Sequence, residues 1–381
     1  MPATGDRITK RKDGLFQGMY TAHTPGGPRR KYIYGRRKKD VERRLAEAMG
    51  DAARGVVFDA GTLTVGEWLD AWLTDTIKPL VDAGKLTYST YKRYVGIVRK
   101  HLKPALGHRK LRDVTRAEVR KLYAAKAATL SPRSVDYIHI TLQKALSQAV
   151  RDDLIPRNVA AGERPHSTRH TSPDRVKALS PAQVRALLEA AQGTRNEALY
   201  VLALHTGLRQ GELLGLRWAD IDLEAGKLSV RRSLKIADHG LEFGPPKNKA
   251  SRRSVPLNKS ATAALRAHKA RQNAERIAAG EWRDAQLVFA SRVGGPIDPT
   301  NLYNREYKPL LKRVGLAGHG FTFHALRHTF ATALFSRGEH PKRVQSLLGH
   351  ASITQTMDTY SHLIDDIGGD AVDGLDDAFR L

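Results

Sequence analysis

The sequence predicts a multidomain protein in three parts: a small N-terminal α+β unit with a three-stranded sheet plus a helix, an all-α helical bundle, and a mainly α domain with a small antiparallel β-sheet. Three observations support this prediction. The chain has 381 residues, more than an average single domain. Apolar residues recur at helical spacing from Leu63 onward, and the polar, proline-containing stretch 162–176 interrupts them. Strand-like runs occur before residue 36 and between 227 and 257.

The N-terminal unit is expected over residues 1–56. Residues 15–23 and 29–35 are rich in aromatic and β-branched side chains, and the turn-forming segment 24–28 between them predicts a hairpin. We expect a further short strand at 6–12 and a helix over 38–53. Five basic residues lie on or next to the strand at 29–35: Arg29, Arg30, Lys31, Arg36 and Arg37. A basic two-stranded ribbon fits a DNA major groove, and an exposed hairpin without a docked role is the alternative.

The helical bundle is expected over residues 62–165. Its apolar residues fall into four helical stripes, which predict four helices. Trp68, Trp72 and Tyr94 lie in these stripes, so we expect them in the core and not as platforms for stacked bases.

The third domain is expected over 175–363. Ser180-Pro181 has the pattern of a helix start, and an apolar run ends at Gly207. Strands are expected at 227–236 and 251–257, and helices from Thr300 onward. The remaining residues, 364–381, form an acidic C-terminal tail, for which a frayed terminus is the plain interpretation.

The composition excludes several classes of chemistry. The chain contains no cysteine, which rules out disulfides, thiolate metal sites and cysteine nucleophiles. Neither a signal peptide nor an apolar run long enough for a membrane helix is evident, so we expect a cytoplasmic protein without membrane association.

The net charge of +25 is spread along the chain. Residues 1–56 and 57–165 each carry +8, residues 166–360 carry +14, and residues 361–381 carry −5. A basic surface that extends over successive domains suits a long polyanion, because each neutralised phosphate releases counterions. Nucleic acid is therefore the expected partner.

Four segments of the third domain hold candidate functional side chains. In the first, Arg209 begins a helix and Glu212 follows one turn later, a spacing at which the two side chains can pair. In the second, His324, Arg327 and His328 share one helix face. Two histidines at this spacing can also bind a metal, but the arginine between them repels a cation and no third ligand follows, so no metal is expected.

The last two segments follow closely. A helix over 341–348 ends at Gly349, and His350 comes next, where the helix C-terminus favours the protonated imidazole. Tyr360 lies on the apolar stripe of a helix that begins near Ser352, so periodicity alone makes it a core tyrosine.

Together these segments resemble the tyrosine recombinase (phage integrase) family. The resemblance rests on HTGLRQGELLGLRW, HALRHTFATALFSRG and LLGHASITQTMDTYSH in the family's order, with PKNKASRRSVPL at the place of its β-hairpin lysine. It covers residues 175–363 and implies the catalytic fold of that family. It also implies six catalytic residues: Arg209, Lys247, His324, Arg327, His350 and Tyr360. Glu212 and His328 match supporting positions.

The chemistry of these residue types fits the reaction implied by the resemblance. Two arginines clamp the non-bridging oxygens of a phosphodiester while Tyr360 attacks, and His350 adds a donor. His324 is the expected base, and Lys247 the expected acid for the leaving 5′ oxygen. Lys249 lies two residues further on and is expected on the same strand face, which leaves the choice of lysine open. Lys249 and Arg252 are also candidates for DNA contact.

The resemblance further implies a site-specific recombinase that works without metal, ATP or other cofactor, encoded by a phage or integrative element and acting in the bacterial cytosol at the nucleoid. Residues 62–165 match the core-type DNA-binding domain and residues 1–56 an arm-type domain. The expected partners are double-stranded DNA at attachment sites, three further copies in a homotetramer on synapsed DNA, a DNA-bending protein and an excision factor. The acidic tail is expected to dock on a neighbouring copy.

Other functions remain open from the sequence. A non-cleaving DNA-binding regulator with the same fold would form no covalent adduct, and a chromosome- or plasmid-resolving recombinase would act without the arm domain. A type IB topoisomerase-like enzyme would share the tyrosine chemistry without synapsis, and EDTA would inactivate a metal-dependent nuclease.

Overall fold

The computed structural model describes residues 8–24, 27–53, 62–165, 177–246 and 249–364. The chain divides into two compact units, Met1–Arg169 and His170–Leu381. No helix within these described ranges is both long and apolar enough to cross a membrane.

The N-terminal part is a three-stranded antiparallel sheet with one helix. The strands β1 to β3 are neighbours in chain order, and the helix α1 follows: β1 Thr9–Lys10, β2 Phe16–Thr24, β3 Gly27–Gly35 and α1 Lys38–Ala53. Val41 and Leu45 of α1 pack on Ile33 of β3. A Cβ atom on Gly18 would lie 3.1 Å from both helix side chains, so glycine allows this close packing. The expected sheet plus helix is therefore present.

The rest of the first unit is helical. Its elements are α2 Val65–Ala71, a π-helical turn Trp72–Ile77, α3 Lys78–Asp82, α4 Tyr88–Ile97, a second π-helical turn Val98–Leu102, α5 Lys103–Leu106, a 3₁₀ turn Leu111–Asp113, α6 Arg116–Ala127 and α7 Pro132–Arg151. The two π-helical turns lie inside longer helical segments, so the bundle has the four helices that the sequence predicts.

Aromatic side chains form much of this core. Trp68, Trp72 and Tyr94 are buried, as their spacing predicts. The Trp68 indole Nε1 donates a hydrogen bond to the carbonyl oxygen of Ala145 at 3.0 Å, which satisfies its polar atom inside the bundle. Their burial makes them structural residues of the bundle core.

The second unit is mainly helical. Its helical elements are α8 Pro181–Ala191, α9 Glu197–Thr206, α10 Gln210–Leu214, a 3₁₀ turn Trp218–Asp220, α11 Lys259–Ala279, α12 Pro299–Asn301, a π-helical turn Leu302–Tyr307, α13 Lys308–Arg313, α14 His324–Phe335, α15 Pro341–Leu348 and α16 Ile353–Ile364. Ser180 and Gln183 form a capping box that begins α8, as the Ser-Pro pattern predicts. Leu199, Leu213 and Leu326 lie in one shared core.

The strands of the second unit form two small antiparallel sheets. They are β4 Ile221–Asp222, β5 Lys227–Val230, β6 Ser233–Ala237, β7 Gly240–Gly244 and β8 Arg253–Pro256, paired as β4-β5-β8 and β6-β7. Val230 pairs with Arg253, so β8 begins only there.

Two expectations about this region are wrong. The sequence predicts one strand over 227–236, but β5 ends at Val230 and β6 begins at Ser233 in the other sheet. The sequence placed Lys249 on a strand, but Lys249–Ser251 is a 3₁₀ turn. Pro245 and Pro246 follow β7 directly and lack the backbone N–H groups that a sheet ladder needs, so the chain leaves the hairpin before it reaches the lysine.

Candidate active site

The site begins at the break between α9 and α10. Gly207 ends α9 in the left-handed conformation, with φ of +61°. A Cβ atom here would lie 2.3 Å from the ring of Phe330, so both the backbone angle and the packing require glycine. The turn places Arg209 at the N-cap of α10 and Glu212 in its first turn.

Arg209 and Glu212 form the expected pair. Arg209 Nη1 donates to Glu212 Oε1 at 2.8 Å, and the backbone N–H of Arg209 donates to Glu212 Oε2 at 3.0 Å. Glu212 is buried, with 2% of its side chain exposed. Burial alone would raise the pKa of this carboxyl, but Arg253 and Arg209 bring it below the usual value. Glu212 is thus a fixed carboxylate that holds a guanidinium in place.

Arg253 is a site residue that the sequence reasoning missed. Its Nη2 donates to Glu212 Oε2 at 3.1 Å, and only 6% of its side chain is exposed. Its neighbour Arg252, which the sequence analysis selected, is exposed. Strand alternation was the available signal, because Arg253 lies two residues before the apolar Val255 and so shares its inward face.

Arg327 is the most buried guanidinium of the site, at 2% exposure. Its Nη1 donates to the carbonyl oxygen of Gly207 at 2.8 Å, and its Nη2 to that of Leu348 at 2.7 Å. Burial and then the nearby charge of Arg209 lower the pKa of Arg327 to about 9, which leaves it protonated at pH 7.

Three arginines donate hydrogen bonds to the C-terminal end of α15. Its last carbonyl oxygens accept hydrogen bonds in succession: Leu347 from Arg253 Nε at 2.5 Å, Leu348 from Arg327 and Gly349 from Arg209 Nη2 at 3.3 Å. A helix C-terminus has unpaired carbonyl groups and partial negative charge, so it attracts cations. We call these three consecutive carbonyls and their guanidiniums the arginine anchor.

His350 follows the arginine anchor directly and is buried. Its Nδ1 lies 2.8 Å from Thr356 Oγ1. Burial, then Arg327 and Arg209, lower the pKa of His350 to about 3. The expectation of a protonated imidazole is therefore wrong, because the arginines already occupy the helix terminus and repel a further cation.

Tyr360 is buried in α16, with 1% exposure, and its ring packs on Phe335 with the centroids 5.5 Å apart. Its hydroxyl lies 2.7 Å from His328 Nδ1. Burial raises the pKa of this phenol, and Arg327 opposes the rise. Tyr360 is therefore both the core residue that periodicity indicates and a polar neighbour of the site.

His324 occupies the first turn of α14, one turn before His328, and is exposed. The two imidazoles meet edge to face, with ring centroids 4.7 Å apart. Surrounding protein atoms and then the charges of His328 and Arg327 lower the pKa of His324 to about 4, although solvent at this exposed position screens part of the effect. His324, the expected base, thus lies next to His328, and it is His328 whose imidazole is within hydrogen-bond distance of Tyr360.

The structure brings together seven of the eight predicted site residues: Arg209, Glu212, His324, Arg327, His328, His350 and Tyr360. Lys247, the eighth, lies outside the described residues, as does the side chain of Lys249. Three cationic guanidiniums beside a phenol and three neutral imidazoles can bind an anion and move a proton. Within the described ranges, no group of three His, Asp or Glu residues has the arrangement of a metal site.

Comparisons with known proteins agree with this fold. The Phage integrase family matches residues 177–366, and the Phage integrase N-terminal SAM-like domain matches residues 64–126. The chain is 32% identical over 368 residues to a tyrosine recombinase XerC-like protein of Caldanaerobacter subterraneus subsp. tengcongensis, covering 92% of each chain. It is 33% identical to an integrase of Streptomyces ambofaciens, covering 90% of this chain and 88% of the other.

A similar fold occurs in a lambda integrase tetramer bound to a Holliday junction, at 22% identity and a TM-score of 0.57, over 91% of this chain and 96% of the other. Fold, site and relatives together define a site-specific DNA recombinase. The chain belongs to the phage integrase family of tyrosine recombinases. A non-cleaving regulator is not favoured by these relatives.

Proposed function

We propose that this recombinase is the integrase of a phage or another integrative element, and that it cuts and rejoins DNA through a 3′-phosphotyrosyl bond to Tyr360. The observation that carries the proposal is the arginine anchor, which holds Arg209 and Arg327 beside the tyrosine-bearing helix. No metal or ATP is needed, because the covalent intermediate keeps the bond energy for rejoining.

The proposed mechanism assigns a role to each group. Arg209 and Arg327 bind the non-bridging phosphate oxygens, on which negative charge grows as Tyr360 attacks. Their positions are fixed before DNA arrives, because backbone carbonyls and Glu212 already hold the guanidiniums. His350 is neutral and adds a hydrogen bond. Lys247 protonates the departing 5′ oxygen, with Lys249 as the other candidate.

The test is a covalent adduct assay. The protein is mixed in EDTA with nicked duplexes tiled from the DNA that flanks its gene, and denaturing gels are searched for a protein–DNA band. A band on one tile locates the core site and supports a metal-free tyrosine nucleophile. Specific binding to a tile without any adduct would contradict the proposed cleavage and favour the regulator.

Residues 62–165 are proposed as the core-type DNA-binding domain, and residues 1–56 as an arm-type domain for accessory sites. The sheet face opposite α1 supports the arm assignment. Tyr32 and Tyr34 are 45% and 42% exposed there, Met19 pairs with Tyr32, and Arg30 lies one alternate position before it. Arg11 stacks over Tyr34 with 5.3 Å between guanidinium and ring centroid. Aromatic and basic groups on one open sheet face suit a DNA groove.

Of the five basic residues predicted to bind DNA in this part, Arg30, Arg36 and Arg37 are exposed. Arg29 and Lys31 belong to β3, but their side chains are not among those that the structure describes. The proposed DNA-contacting face is therefore defined by Arg11, Arg30, Tyr32 and Tyr34.

Changing both Arg30 and Tyr34 to alanine is expected to lower affinity for accessory arm sites by about tenfold or more, since each good groove contact contributes roughly 1–3 kcal/mol. Core-site cleavage is expected to stay unchanged. The matched control is Lys39→Ala, which removes one exposed positive charge from α1 on the other side of the sheet. Gel shifts with isolated accessory sites measure the affinity. Equal losses of affinity in the double variant and in the control would show that only net charge matters.

Assembly as a homotetramer on synapsed DNA is proposed by analogy with the lambda integrase tetramer. An apolar groove of about 840 Å³ offers a place for the tail of a neighbouring copy. Its lining residues include the apolar Val184, Phe330 and Leu334 and the charged Arg337, Glu339 and Arg343. Residues 361–381 combine apolar side chains with a net charge of −5, which complements this surface.

Removal of residues 365–381 is therefore expected to weaken tetramer formation on paired sites by about tenfold or more, while binding to one core site changes little. Native gels and sedimentation on single and paired core sites measure both. Unchanged synapsis would contradict the docking role. A DNA-bending protein and an excision factor are proposed as further partners at the nucleoid, to be tested by adding host extract to the integration and excision reactions.

A further inference from the structure

The hydrogen bond between Tyr360 and His328 joins the proposed nucleophile to a specific side chain. The hydroxyl Oη and the imidazole Nδ1 are 2.7 Å apart, within the range of a strong O–H to N hydrogen bond. The phenol ring is held by Phe335 on one side and contacts the His328 ring at 5.9 Å between centroids. Both partners belong to the same packed region, so the contact is built into the fold and not a chance surface pairing.

The surroundings of His328 favour its neutral form. The charged and titratable groups that face it are Arg327, His324 and Tyr360. Burial and then Arg327 lower the pKa of His328 to about 4, which keeps the imidazole neutral at pH 7 but also makes it a weak base, so the proton transfer needs the negative charge of a phosphodiester bound at Arg327 to offset that cation. A neutral imidazole with its proton on Nε2 presents an unprotonated Nδ1, which is the form that accepts a proton from a phenol.

His324 has a different position. Its ring stands edge to face against His328 at 4.7 Å, and its side chain is exposed. Contact with the ring of His328 restrains the rotation of that imidazole, which keeps Nδ1 directed at Tyr360. In this arrangement His324 is a positioning residue for His328.

We propose that His328 is the catalytic residue that accepts the proton of Tyr360 during DNA cleavage and returns it during rejoining. The inference rests on the proposed function of Tyr360 as the nucleophile. It moves the role of base from His324, where the family resemblance placed it, to the neighbouring histidine one turn along α14.

The proposed step is balanced as follows. The O–H bond of Tyr360 breaks and its proton passes to His328 Nδ1, while Oη forms a bond to phosphorus. The bond from phosphorus to the 5′ oxygen breaks, and that oxygen keeps the electron pair and takes a proton from the lysine acid. In rejoining, the 5′ hydroxyl gives its proton back to the lysine as its oxygen attacks phosphorus, the bond from phosphorus to Oη breaks, and His328 Nδ1 returns its proton to Oη.

The experiment isolates the proton acceptor from the proton donor. The substrate is the nicked core-site duplex with sulfur in place of the bridging 5′ oxygen at the cleavage point, because a thiolate leaves without needing a proton. Adduct formation is timed between pH 5 and pH 9 for the wild-type protein and for His328→Asn. Asparagine keeps a hydrogen-bond acceptor near the position of Nδ1 but cannot take a proton. The matched control is His324→Asn.

For the wild-type protein, the rate is expected to level off above the pKa of His328. For His328→Asn, the rate at pH 7 is expected to fall on the order of 10²-fold and to rise about tenfold per pH unit, because Tyr360 must then ionise without a base. His324→Asn is expected to keep the level profile. Melting temperatures of all variants, measured in parallel, identify any that fail to fold.

Two results would overturn the inference. A His328→Asn profile parallel to that of the wild-type protein shows a structural role only, and a rising profile for His324→Asn alone returns the role of base to His324. A wild-type protein that binds the core site without forming an adduct contradicts the proposed function itself, which is a separate and recognisable failure.

Discussion

Replacing Tyr360 with phenylalanine is expected to abolish the covalent protein–DNA adduct, with the cleavage rate falling on the order of 10⁶-fold or below detection, because the attacking oxygen is removed. The fold is expected to persist. Phenylalanine keeps the ring packing against Phe335, and the lost hydrogen bond to His328 lowers the free energy of unfolding by only about 1 kcal/mol. Denaturing gels on nicked core-site DNA and thermal melts measure the two effects.

Binding to core-site DNA serves as the control, since the variant retains every arginine of the site. A persistent adduct in the Tyr360→Phe protein would assign the nucleophile to another residue. Peptide mapping of the wild-type adduct then identifies that residue directly.

Replacing Arg327 with lysine is expected to lower the cleavage rate by about 10²–10³-fold, although the positive charge is kept. A single ammonium cannot reproduce the planar fork that reaches both Gly207 and Leu348 carbonyls. One buried carbonyl then loses its partner, which is expected to lower the free energy of unfolding by roughly 1–3 kcal/mol. Adduct kinetics and urea unfolding measure the two losses.

The matched control is Arg266→Lys, the same exchange at an exposed arginine of α11, for which both quantities are expected to stay near the wild-type values. Equal activity of Arg327→Lys and the wild-type protein would show that charge alone suffices. Lost stability with unaltered cleavage would make Arg327 a structural residue of the arginine anchor.

Local patterns predicted most of the architecture. The helix over 38–53, the helix over 341–348 and the break at Gly207 follow from propensity, apolar spacing and glycine chemistry, all of which act within a few residues. The sequence analysis placed Lys249 wrongly because it continued the strand pattern beyond Pro245 and Pro246. These prolines end the hydrogen bonding between strands, and Lys249 lies in a 3₁₀ turn.

The site shows where such reasoning ends. Arg209 and Glu212 pair over three residues, so the sequence predicts their contact. Arg253 reaches Glu212 from 41 positions away, and Tyr360 reaches His328 from 32 positions away. Residues so far apart in the sequence do not belong to one helix or strand, so the periodicity of a single element does not predict their contact. The charge state of His350 was misjudged for the same reason, since it depends on arginines supplied by three other segments.

The arginine anchor also supplies the positive charge of the site at which DNA is proposed to bind. In the described part of the site, three guanidiniums and one carboxylate leave two positive charges, and the three histidines add none at neutral pH. A phosphodiester in its ground state brings one negative charge, whereas the five-coordinate phosphorus of the transition state bears close to two. These described groups, counted without Lys247, therefore match the charge of the transition state and exceed that of the substrate, which is the condition for binding energy to lower a barrier.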